Sequence, residues 1–109
     1  MIDTLSLIQD KQALQRKIEL SEAVYRLEQH PDFVSIFKMQ YFTNEALQAV
    51  RDLATCEAGS DDHTALLRKL QSLSDVQHYL DNLKQHGAMA KEELKELNAI
   101  PLESEYTNE

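Results

Sequence analysis

The chain has no tryptophan, one cysteine, two glycines and two prolines in 109 residues. Each shortage excludes something. A lone Cys56 cannot form an intramolecular disulfide, and it fits a reducing compartment. So few glycines and prolines leave little turn chemistry for a many-stranded β fold. No apolar run approaches the roughly 18 residues that span a bilayer. The opening "MIDTLSLIQDKQ" carries an acid where a secretory signal needs base, and it has no apolar block. These absences predict a cytosolic protein with no membrane association. There is no glycine-rich phosphate loop and no G-x-S-x-G stretch.

What is present favours helix. Leu, Ala, Gln, Glu and Lys dominate, and β-branched residues are sparse. The expected fold class is all-α. Residues 3–29 read as one amphipathic helix, capped by Asp3 or Thr4. Its apolar positions are Leu7, Leu14, Ile18 and Tyr25, with Leu20, Val24 and Leu27 beside them. Glu22 and Arg26 form an i,i+4 pair. Pro31 disfavours helical geometry at His30 and suits the first position of a new helix, with Asp32 at its positive end. "DFVSIFKMQYF" then predicts a short helix with Phe33, Phe37 and Tyr41 along one side. Thr43 and Asn44 read as a break and a new cap. "EALQAVRDLATC" follows, with Leu47, Val50 and Ala54 as its apolar face and Leu53 beside it.

"EAGSDD" is the clearest loop, with Gly59 closing one helix and Ser60 or Asp61 capping the next. The helix expected over 61–86 carries Leu66, Leu70, Leu73, Val76, Leu80 and Leu83 at coiled-coil-like spacing. Gly87 reads as punctuation. A last segment from Met89 to Ala99 bears Ala90, Leu94 and Leu97, and Pro101 ends it. Residues 1–100 form a single helical domain on this reading, and 101–109 an acidic, frayed tail. A helix of 26 residues is about 39 Å long, whereas a compact globule of this size has a radius of gyration near 13 Å. The expectation is therefore an elongated helical bundle or hairpin, with two long helices and about three shorter ones. Apolar stripe would be left over for a dimer or higher oligomer.

The stretch "HPDFVSIFKMQYF" holds all three phenylalanines and one of the four tyrosines. A small protein without tryptophan needs its large side chains inside, so Phe33, Phe37 and Tyr41, with Leu73 and Leu80, are the expected packing residues. Met39 and Phe42 lie off the main stripe. With Leu66 and Leu70 they are the candidate interface residues.

Chemistry-bearing clusters are few. His30, His63, His78 and His86 include no pair at helical chelating distance. Asp75 and His78 share a face, but no second such motif completes a di-metal bundle. Glu92, Glu93 and Glu96 form an E-E-x-x-E pattern of the kind that holds magnesium in helical nucleotide pyrophosphohydrolases. The second acidic helix that chemistry needs is missing, so these read as a solvated face. Cys56 sits at the wrong end of a helix to lower its thiol pKa. The expectation is no enzymatic activity, no catalytic or metal-binding residue and no cofactor. The formal charge of −8 disfavours direct contact with nucleic acid. A helix-turn-helix would place Asp61 and Asp62 against phosphate.

Two stretches, "RLEQHPDFVSIFKMQYFTNEALQAV" and "LQSLSDVQHYLDNLKQHGAMAKEEL", carry a resemblance. Through Pro31, Asp32, Phe33, Tyr41, Phe42, Glu45, Tyr79, Leu80, Gly87 and Ala90, residues from about Arg26 to Leu94 resemble small helical proteins encoded by tailed bacteriophages, often near head and packaging genes. The resemblance implies a helical oligomer acting as a virion component or assembly factor, in the bacterial cytoplasm or the virion. Its partners would be itself and another phage or host protein. The alternative is an acidic inhibitor that binds a host enzyme or nucleic-acid-binding protein. Mimics of that kind present dense acid along one face, and here Lys and Arg are interspersed.

Overall fold

The computed structural model describes residues 4–100. All its regular elements are helical, and no strand occurs among the described residues. Helix α1 spans Thr4–Gln29. A second helical run, residues 31–55, comprises α2 (Pro31–Phe33), a π-helical segment (Val34–Glu45) and α3 (Ala46–Thr55). Helix α4 spans Asp61–Asn98. Asp3, offered as a cap, and the tail 101–109 lie outside the described residues.

Local chemistry sets the boundaries. His30 leaves helical geometry ahead of Pro31, and its Nδ1 accepts from the Asp32 amide at 3.1 Å, capping α2. After α3 the chain turns through Gly59, whose φ of 81° is open to glycine at little cost. Ser60 Oγ then accepts from the His63 amide at 3.2 Å, starting α4. Asp61 and Asp62 occupy its first turn, where the helix dipole favours acid.

Two expected breaks are absent. At Thr43 and Asn44 the side chains that would cap a new helix bond backwards instead. Thr43 Oγ1 donates to the Lys38 carbonyl at 2.7 Å, and Asn44 Nδ2 donates to Gln40 Oε1 at 3.4 Å. The five-residue reach of the first bond matches the wider π turn. Gly87 does not interrupt α4. It is buried against α1, where an added Cβ would lie 2.1 Å from Ser21 Cβ and 3.2 Å from the Lys17 carbonyl. The glycine serves a close helix crossing, not a chain break.

Contacts divide the chain into two compact units. One takes in the described residues up to Tyr25 and from Asn82 onward. Its core is Leu14, Ile18 and Ala90, with Leu94 and Leu97 packed against them. Ser21 is buried, and its hydroxyl donates to the Lys84 carbonyl at 3.4 Å. Leu14 lies toward Leu97, and Tyr25 toward Lys84, so the two helices run antiparallel here. Tyr25, expected on the apolar stripe, is exposed, with the Lys84 ammonium 5.5 Å from its ring centroid. Ser21 and Val24 take the inward positions.

The other unit is Arg26–Asp81. Phe33, Ala49 and Leu73 are buried in it. Lys69 Nζ lies 3.2 Å from Glu45 Oε1, an ion pair that links the π-helical segment to α4. The inward row on α4 runs through Leu66, Leu70, Leu73 and Leu80, and its spacing continues in the first unit at Leu83, Gly87, Ala90, Leu94 and Leu97. Val76, expected in this row, is partly exposed.

The crossing at Gly87 has a testable sign. Gly→Ala inside an ordinary helix stabilises by about 0.5–1 kcal/mol. At Gly87 the same change must push α1 and α4 apart, and overpacking typically costs about 1–3 kcal/mol. Urea denaturation of Gly87→Ala should show a lower midpoint than the parent; a higher one would contradict the close approach.

Candidate interaction surface

The aromatic stretch answers to its helix geometry. An α-helix advances about 100° per residue, so side chains four apart drift by about 40° per step. Five such steps would carry Leu53 to the face opposite Phe33. The π-helical segment holds more residues per turn and cancels the drift. Phe33, Phe37, Tyr41, Glu45, Ala49 and Leu53, every fourth residue, therefore share one side of the run. Phe33 and Ala49 are buried, and Tyr41, Glu45 and Leu53 are half-buried. The Phe33 and Phe37 rings stack at 5.0 Å, and Phe37 meets Tyr41 edge-on at 5.9 Å. Phe42 joins the cluster 5.5 Å from Tyr41. Such contacts contribute about 0.5–1.5 kcal/mol each beyond area burial.

The expected packing residues divide by environment. Phe33 and Leu73 are enclosed, while Tyr41 and Leu80 are half-buried. Phe37 is 36% exposed. It is covered by the rings on either side of it in its own run, so its contribution is to the aromatic ladder. Of the candidate interface residues, Phe42, Leu66 and Leu70 are half-buried and Met39 is fully outward. Phe42 and Leu80 line a cavity of about 240 Å³ with Glu28, Lys38, Thr43, Gln77 and Asp81.

The same geometry turns a second set of side chains outward. Ile36, Met39, Leu47 and Val50 are 58%, 60%, 51% and 55% exposed. Leu47 and Val50 were the expected inner face of α3. Ala49 and Leu53 occupy that face instead, because the π turns upstream reset its phase. Four large apolar side chains of this run are thus left exposed among the described residues.

Other chemistry-bearing residues are dispersed. His30, His78 and His86 are exposed and His63 is half-buried. Glu92 pairs with Lys95 at 3.3 Å, and Glu93 and Glu96 line a shallow surface depression with Asp10 and Lys17. Cys56 is half-buried, with Sγ 3.6 Å from the Leu53 carbonyl. Among the described residues, no three His, Cys, Asp or Glu side chains are grouped to hold a metal ion, and no helix is long and apolar enough to cross a membrane. Comparison with protein-family models, curated proteins and solved structures finds no match to this chain.

The inward and outward assignments separate two chemically identical substitutions. Leu53→Ala should cost about 1–2 kcal/mol, below the range of a fully buried leucine because Leu53 is half-buried. Leu47→Ala, measured at a dilution where association contributes nothing, should change the stability of the single chain by about 0.5 kcal/mol or less. Thermal and urea denaturation of the two variants, side by side, check the phase of α3; equal losses would refute it.

Proposed function

We propose that this chain is a non-enzymatic helical protein that works by associating with itself and with another protein, as a structural or assembly component of a tailed bacteriophage. The observation that carries this reading is the outward apolar set Ile36, Met39, Leu47 and Val50. Burying an apolar side chain of this size contributes about 1.5–3 kcal/mol, so four of them left in water along one helical run favour a surface that takes a partner. The resemblance to phage helical proteins, through Pro31, Asp32, Phe33, Tyr41 and Phe42, supplies the context. The bacterial cytoplasm or the virion would be its place of work.

A second reading is favoured by the formal charge of −8. On it, the chain is an acidic inhibitor of a host enzyme or nucleic-acid-binding protein. The interspersed bases weigh against it, since a mimic of nucleic acid presents an unbroken acidic face.

Salt separates the two. Apolar association persists as ionic strength rises, whereas contacts between exposed charges are screened within about 10 Å at 0.1 M salt. Light scattering after size exclusion, at tens of micromolar protein and at low and high salt, should give a mass of at least two chains under both conditions. A monomer under both would sink the assembly reading and shift attention to a host partner.

A further inference from the structure

We propose that the outward face of residues 36–50 is a two-fold, antiparallel interface between two copies of this chain, centred on Thr43. This rests on the self-association reading above and names its surface. Met39 and Leu47 lie four residues either side of Thr43, all three exposed. With the near-fourfold phase of the π-helical segment they form one outward row, continued by Ser35 and Arg51. A two-fold axis through such a row sets residue i against residue j and j against i. Met39 of each copy then faces Leu47 of the other, and Thr43 faces itself. The Thr43 hydroxyl already donates to the Lys38 carbonyl, so it can sit on an apolar axis with its proton satisfied.

Charge favours a second copy as the occupant. A chain of net charge −8 repels itself over most of its surface. Between Phe33 and Arg51 the only carboxylate is Glu45, and it is half-buried and held by Lys69. Within residues 34–50, face-to-face pairing sets no carboxylate against another. Arg51 would lie opposite Ser35, one turn from the partner copy's exposed Asp32, and symmetry repeats that complementary contact at the other end. Ile36 and Val50 would flank the row and extend the apolar contact.

The test uses the full chain in a Cys56→Ser background. Cysteines are placed at Met39 or Leu47, and the two variants are oxidised separately and mixed. Antiparallel pairing predicts a disulfide-linked dimer from the mixture and almost none from either variant alone. Thr43→Cys alone should cross-link, because that position meets itself. In parallel, Met39→Glu/Leu47→Glu should weaken the dimer about 100-fold or more and give the mass of one chain, with helicity by circular dichroism retained. Cross-linking of each variant with itself, but not of the mixture, would overturn the antiparallel arrangement. An unchanged dimer mass in the double-glutamate variant, with no mixed cross-link, would overturn this surface and leave self-association standing. A monomeric parent protein would overturn both.

Discussion

The pitch of one helical segment decides which side chains of the second run are inside. Between Val34 and Glu45 the turn is wider than in an α-helix, and side chains four apart stay in register over some twenty residues. That register stacks Phe33 on Phe37 and Tyr41, aims Glu45 at Lys69, and delivers Ala49 and Leu53 inward. By the same rotation it commits Met39, Thr43 and Leu47 to the outside. Core and surface of this run are set by the same helical pitch. Extended π-helix is rare, and shorter stretches of it cluster at functional sites. Here its use would be to present an apolar face while keeping an aromatic ladder packed.

The other unit is organised by proximity. Ser21 and Gly87 remove side-chain bulk where α1 and α4 cross, and Ala90 continues the small-residue track beside Leu14 and Ile18. The Ser21 hydroxyl, buried there, is satisfied by the Lys84 carbonyl, which avoids the cost of about 1–3 kcal/mol for an unmade buried hydrogen bond. Glycine in mid-helix costs about 0.5–1 kcal/mol of backbone entropy. The close packing it permits offsets that loss.

Much of this was legible in the residues. Scarce glycine and proline, and apolar spacings of three and four, announced an all-helical chain. Pro31 marked the end of α1, and the Gly59–Ser60 pair marked the loop before α4. What stayed hidden depended on partners distant in sequence or on helix pitch. Gly87 looks the same whether it ends a helix or admits a neighbour, and only the presence of Ser21 opposite decides. Thr43 and Asn44 look like a cap, because capping and back-bonding use the same polar atoms. The inner face of α3 was misread because Leu47, Val50 and Ala54 obey an α-helical period, while the π turns upstream had shifted the phase to Ala49 and Leu53. Phe33 and Leu73 were recognisable as packing residues. The outward role of Leu47 was not, since nothing in its neighbours tells which face of an amphipathic segment meets water.

The register of the second helical run can be read directly in solution. Nuclear Overhauser contacts should be recorded from the methyl groups of Ala49, Leu53, Leu47 and Val50 to those of α4, in a sample that reports contacts within one molecule. The account predicts contacts from Ala49 and Leu53 to Leu66, Leu70 or Leu73, and none from Leu47. Contacts from Leu47 and Val50 to that leucine row, with Ala49 silent, would mean the run is an ordinary α-helix with the opposite face inside. The proposed surface would then not exist.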